Sequence, residues 1–117
     1  MAYLEAIDLG TKKKTARTAV SGSLTAAGTE TIDLSSYLPK GTKAVELFIG
    51  ATDATPGTAI GIRRTGGSVS ENALYIQAAS IPNYLTCDVV LDAALSFDLY
   101  KTAGFDVVSV FITGYYL

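Results

Sequence analysis

The chain alternates between apolar and polar residues. Over residues 84–91, Leu85, Cys87, Val89 and Leu91 fall on one side of an extended backbone, and Tyr84, Thr86, Asp88 and Val90 fall on the other. Residues 95–100 repeat the rhythm, with Leu95, Phe97 and Leu99 set against Ser96, Asp98 and Tyr100. A period of two is the signature of a strand with one buried face. The period of 3.6 that an amphipathic helix needs is absent. Asp92-Ala93-Ala94, between the two runs, is short enough to predict a hairpin.

Further strands are predicted over residues 16–25, 29–34, 43–50, 58–65, 73–80 and 106–116. Turn residues separate them: Gly28, Pro39-Lys40-Gly41, Pro56-Gly57, Gly66-Gly67, Pro82-Asn83 and Gly104. The one plausible helical turn, Ser35-Ser36-Tyr37-Leu38, is cut short by Pro39. About eight short strands with regular turn signals predict an all-β fold. The expected architecture is an antiparallel β-sandwich, jelly-roll or Ig-like. Residues 43–50 and 106–113 are apolar on both faces, which predicts central strands or strands covered by a neighbouring subunit.

A length of 117 residues predicts one domain, able to bury roughly two-thirds of its unfolded surface. Residues 16–117 read as that single sandwich. Residues 1–15 read as an N-terminal arm or an edge strand, because Tyr3, Leu4, Ile7 and Leu9 are loosely spaced and Lys12-Lys13-Lys14 breaks the pattern. The opening residues lack the order of charge and apolar core that marks a signal peptide, and no window is long and apolar enough to span a membrane. Synthesis and folding in the cytoplasm, with no membrane partner, are expected.

Composition narrows the chemistry. The chain has no histidine and a single cysteine, so histidine catalysis, a zinc site and an intramolecular disulfide are all excluded. Cys87 lies on an apolar strand face with no base to activate it, and is expected to be core. Asp88, Asp92, Asp98 and Asp106 are numerous enough for a carboxylate pair, but each is predicted to lie on an outward face or in a turn, with no cleft between them. No catalytic, cofactor-binding or metal-binding residue is assigned, and no enzyme activity is expected. Acidic turns near Asp53 or Asp92 lack the spacing of a calcium loop.

Binding features remain. Charged residues make up only 17% of the chain, its net charge is −2, and it carries seven tyrosines. Low charge with abundant apolar surface predicts a homo-oligomer or an assembly component. Lys12, Lys13, Lys14 and Arg17 form the only basic cluster. In an acidic chain without interleaved aromatics it predicts a solvated arm, or an arm docked on an acidic protein surface, rather than a nucleic-acid contact. Arg63 and Arg64 are adjacent in a strand and must point to opposite faces, so one is a candidate for an inter-subunit ion pair. Gly114-Tyr115-Tyr116-Leu117 predicts a last strand whose tyrosines pack on the fold or on a partner.

Three segments carry a family resemblance. They are residues 31–47, with Asp33-Leu34-Ser35, Tyr37, Pro39, Gly41 and Ala44-Val45; the run from Gly61 through Arg63 to Gly67; and residues 105–116, a hydrophobic strand ending in Gly114-Tyr115. In this order they resemble the small β-sandwich domains of tailed-phage structural proteins, in capsid decoration proteins and in tail or fibre modules. The resemblance spans residues 31–117. It implies a virion structural role without catalytic residues. The expectation is a capsid decoration (cement) protein, most simply a trimer, bound to the major capsid protein or another virion protein. Its expected contacts are Tyr3, Leu4, Lys12, Lys13, Lys14, Arg63, Tyr115 and Tyr116. The other expectation is a tail-fibre or adhesin module that stacks a sugar on an exposed tyrosine such as Tyr84 or Tyr100.

Overall fold

A computed structural model describes residues 12–20, 24–68, 70 and 72–117. Tyr3 and Leu4 lie outside the described residues. Among the described residues eight strands form: β1 (Lys12–Ala19), β2 (Gly28–Asp33), β3 (Ala44–Thr52), β4 (Ala59–Arg64), β5 (Asn72–Tyr75), β6 (Asn83–Val90), β7 (Ser96–Lys101) and β8 (Val107–Tyr116). They make two four-stranded antiparallel sheets, in the orders β1-β8-β3-β6 and β2-β7-β4-β5.

The pairing is nested. β1 pairs with β8, β2 with β7, β3 with β6, and β4 with β5. Contacts of β3 with β8 and of β4 with β7 then join the pairs into sheets. Every connection except β4–β5 passes from one sheet to the other. A long antiparallel ribbon rolled up in this way is the jelly-roll form of the β-sandwich. An immunoglobulin-type strand order does not occur.

The expected hairpin at Asp92-Ala93-Ala94 is therefore corrected: β6 and β7 belong to different sheets. The Asp92 carboxylate accepts hydrogen bonds from the Ser96 amide (2.9 Å) and hydroxyl (3.0 Å), and Leu95 takes a left-handed φ of 60°. This tight bend aims the Leu95 side chain into the core and carries the chain across the sandwich instead of back along β6.

Alternation explains the core. β6 buries Cys87 and Val89 and exposes Tyr84, Thr86 and Asp88. Burial pushes the Cys87 thiol up to about 11, as an inert core residue requires. From the first sheet Leu47, Ile49, Val110 and Ile112 face Ile60, Ile62, Phe97 and Leu99 of the second, all at most 2% exposed. β3 lies between β8 and β6 and is buried along nearly its whole length, as its two-sided apolar sequence predicts.

Boundaries move in two places. The strand expected over residues 16–25 begins at Lys12 and ends at Ala19, so the three lysines start an edge strand. The run over residues 73–80 yields only the four-residue β5; Ile76 still exchanges backbone hydrogen bonds with Gly57 and Thr58 ahead of β4, and the chain then crosses to the first sheet.

Two buried charges escape the alternation rule. Asp98 points outward from its sheet as expected, yet it is buried rather than exposed. It accepts hydrogen bonds from the Thr31 hydroxyl (2.7 Å) and the Gly66 amide (2.9 Å), because the turn after β4 folds over it. Lys101 continues the inward series of Phe97 and Leu99, and its ammonium lies 2.9 Å from Glu30 at the mouth of the sandwich. Removing only the anion leaves a buried cation unpaired, which costs far more than replacing the cation by an apolar chain of similar shape. Glu30→Gln is expected to lower the unfolding free energy by on the order of 2 kcal/mol, and Lys101→Met by clearly less. Urea denaturation of both variants checks the order; equal losses would refute it.

Candidate interaction face on the first sheet

The outer face of the β1-β8-β3-β6 sheet divides into a polar half and an aromatic half. The polar half is organised by Glu46. A bulge in the β3–β8 ladder pairs Glu46 with Gly114 and Leu47 with Ile112, which leaves Thr113 as the extra residue. The Thr113 hydroxyl then donates to Glu46 (2.9 Å). Gly114 permits the close approach of β1, since a Cβ there would stand 3.1 Å from the Lys13 carbonyl oxygen. Lys12 and Lys14 converge from β1 on the same carboxylate, Lys14 at 2.9 Å. Next to them the Tyr116 hydroxyl donates to Asp88 (3.0 Å).

The aromatic half lies at the other end of the same strands. Phe48 and Phe111 are register partners on β3 and β8, with ring centroids 6.4 Å apart. Tyr84 on β6 stacks on Phe48 at 5.4 Å and 12°. Its ring lies over Gly50, where a Cβ would meet two ring carbons at 3.0 Å, so glycine is what lets the tyrosine lie flat on the sheet. A register shift in β1 between Lys14 and Thr18 brings Arg17 inward over this shelf. The guanidinium carbon sits 4.3 Å from the Phe111 centroid and 4.6 Å from that of Phe48.

Beside the shelf runs a groove of about 330 Å³, walled by Pro82 and Val107 and carrying the hydroxyl residues Thr52 and Ser109. A shallower groove lies on the far side of Tyr84, toward Tyr75, Gln77 and Asn83. Tyr75, Tyr84 and Val107, three of the five exposed large apolar residues among those described, line these two grooves at one corner of the sandwich, and a fourth, Ile81, directly precedes Pro82, which borders both. Tyr84 is the most open, at 61%.

The expected contact residues do not form one surface. Lys12, Lys14 and Tyr116 meet at the polar half, with their charged or hydroxyl ends engaged by Glu46 and Asp88 of the same chain. Lys13 alternates to the opposite face of β1, level with Tyr115, and is exposed. Tyr115 packs against the core. Arg63 lies on the opposite sheet, 4.3 Å over the Tyr100 ring, and donates to Ser70 (3.1 Å). The same cation therefore covers Tyr100, one of the two candidate sugar platforms, while Tyr84 stays open.

Sequence reasoning did not gather Arg17, Phe48 and Phe111 into a site. The signal was present: Phe48 and Phe111 occupy the outward positions of two-sided apolar strands. Among the described residues no group of three or more Cys, Asp or Glu side chains is placed to hold a metal ion. Asp53 and Asp92, the turn acids, accept hydrogen bonds from Thr58 and Ser96. No helix among the described residues is long and apolar enough to cross a membrane. No protein-family model matches the chain, and a search of curated proteins finds no match.

The polar half has a pH signature. Hydrogen bonds from Lys12, then Lys14 and Thr113, hold the Glu46 carboxyl down at about 2, against an ordinary 4.5. A group lowered on folding stabilises the fold above its ordinary value and loses that contribution as pH falls through its folded value. The stability gap between the natural chain and Glu46→Gln is therefore full above pH 4.5 and closes toward pH 2. Thermal unfolding of both proteins across that range measures it; a gap that does not change with pH would contradict the assignment.

Proposed function

We propose that this chain is a structural protein of a tailed-phage particle, and first a capsid decoration protein that works by protein–protein contact. The observation that carries the reading is the apolar corner formed by Tyr75, Ile81, Tyr84 and Val107, with the aromatic shelf beside it. Apolar residues gathered on an otherwise closed small sandwich mark a contact surface. The low charge of the chain and the resemblance of residues 31–117 to phage virion domains support the same reading. The jelly roll recurs in viral capsid domains, which is support by analogy of fold. In this reading the protein is a homo-oligomer, most simply a trimer, made in the host cytoplasm and carried on the virion. It lays its apolar corner against the major capsid protein or a neighbouring copy. The role is passive: it covers a seam and excludes water from it.

A second reading is favoured by one specific observation. Tyr84 lies flat, stacked and open beside a groove that holds both hydroxyls and a guanidinium. That arrangement suits a tail-fibre or adhesin module that stacks a sugar ring. Jelly rolls also recur in lectins.

Immunogold labelling of intact particles tests the first reading. Many labels over the head support decoration, labels at one vertex or on fibres favour the second reading, and no label on particles removes the virion role. Ile81→Asp and Val107→Asp alter exposed side chains, so folding should survive. Each is expected to weaken binding to heads lacking the protein by roughly tenfold or more. Unchanged binding would move the contact away from this corner.

A further inference from the structure

Resting on the second reading, we propose that the groove beside Tyr84 is a subsite for an acidic sugar, a pyranose unit bearing a carboxylate. Tyr84 receives the apolar face of the ring, Thr52 and Ser109 meet its hydroxyls, and Arg17 takes the carboxylate.

The assignment starts from Arg17. Lys12 and Lys14 on the same strand both share the Glu46 carboxylate. No carboxylate among the described residues pairs with Arg17. Its guanidinium rests on two aromatic faces, and the residue is exposed. Packing on rings fixes the plane of the group but leaves its N–H edges free to donate, the geometry in which Arg binds a carboxylate at two points. The bulge that re-aims Arg17 is itself a device typical of binding sites.

The rest of the groove selects the ligand class. A volume of about 330 Å³ is at the lower end of small-ligand sites. An open aromatic ring at one wall asks for a ligand with an apolar face, and the hydroxyl residues ask for a polar rim. A sugar acid has an apolar face, a hydroxyl rim and an anion in one ring. A neutral sugar would leave the guanidinium unused. A nucleic acid also stacks and also brings anions, but it needs a track of cations. Along β1, Lys12 and Lys14 converge on the single Glu46 carboxylate and Lys13 alternates to the opposite face, so no continuous track of cations leads away from the groove.

The test is calorimetric titration of the full chain with two acid and neutral pairs. One pair is trigalacturonate and its methyl ester, and the other is 3′-sialyllactose and lactose. At least one acid should bind tenfold or more tightly than its neutral counterpart. Arg17→Gln should remove that preference, so that acid and neutral forms bind alike. Tyr84→Ala should weaken acid and neutral forms alike. Ser109→Ala, a milder change at the rim, should weaken binding and serves if Arg17→Gln fails to fold. Equal binding of acid and neutral forms overturns the acidic assignment and leaves the carbohydrate reading standing. No binding of any of the four overturns both. Binding of a triglutamate peptide as tight as that of the sugar acids overturns the inference in favour of protein docking.

Discussion

The interlock of two inner faces governs this molecule. Leu47, Ile49, Val110 and Ile112 on one sheet must meet Ile60, Ile62, Phe97 and Leu99 on the other, and neither set is buried without its opposite. Burial of apolar surface is the dominant favourable term in folding, and here it is shared between strands far apart in sequence. The nested pairing follows from this need. When the first strand pairs with the last and the second with the seventh, the ribbon can roll so that all its apolar faces turn inward. A slip of one residue in any strand would put its buried set into water, so the register is fixed by the same burial.

Alternation made the strands legible, and it placed Cys87, Val89, Phe97 and Leu99 in the core. It did not reveal which strand lies beside which. Pairing is set by partners dozens of residues away, and a turn sequence reports only its own geometry. Asp92-Ala93-Ala94 shows the difference: it is short enough for a hairpin, but the Asp92–Ser96 hydrogen bonds and the left-handed Leu95 turn the chain across the sandwich. Asp98 and Lys101 were hidden for a related reason. A polar residue at an outward position reads as solvated, yet a turn folded over it buries Asp98. A lysine at the end of an inward series reads as a strand terminus, yet Glu30 from the neighbouring strand draws it in.

The candidate site was half legible. Tyr84 stood out as an outward aromatic, and the two-sided apolar character of residues 43–50 and 106–113 signalled something on the outer face. The join between them was not visible, because it depends on three non-local facts. Gly50 must lie under Tyr84, Phe111 must lie in register with Phe48, and a bulge in β1 must bring Arg17 over both rings. The lysines drew attention as a cluster in sequence, but Lys12 and Lys14 share Glu46, while Arg17, which lies over the aromatic shelf, has no carboxylate partner among the described residues.

The two sheets treat their outer faces differently. On the β2-β7-β4-β5 sheet, the turn after β4 supplies the Gly66 amide to Asp98, Ser70 packs against Gly61, and Arg63 lies over Tyr100. Those parts of the face are roofed by its own chain, while Tyr75 on β5 stays exposed. On the other sheet the polar half is closed by the Lys12–Glu46–Lys14 cluster, and among the described residues the aromatic end is open. Tyr100 is covered while Tyr84 is bare, and Tyr75, exposed on β5 of the second sheet, lines the shallower groove beside Tyr84, so the bare aromatic rings gather at one corner. Both proposed readings use that corner, and they differ in what must be desolvated. A broad protein contact buries Ile81 and Val107 together with Arg17, so the partner must bring a carboxylate to satisfy the cation. A sugar fills the groove alone and leaves Ile81 in water. The chemistry required opposite Arg17 is the same in both cases, and the extent of apolar cover around it separates a capsid seam from a glycan.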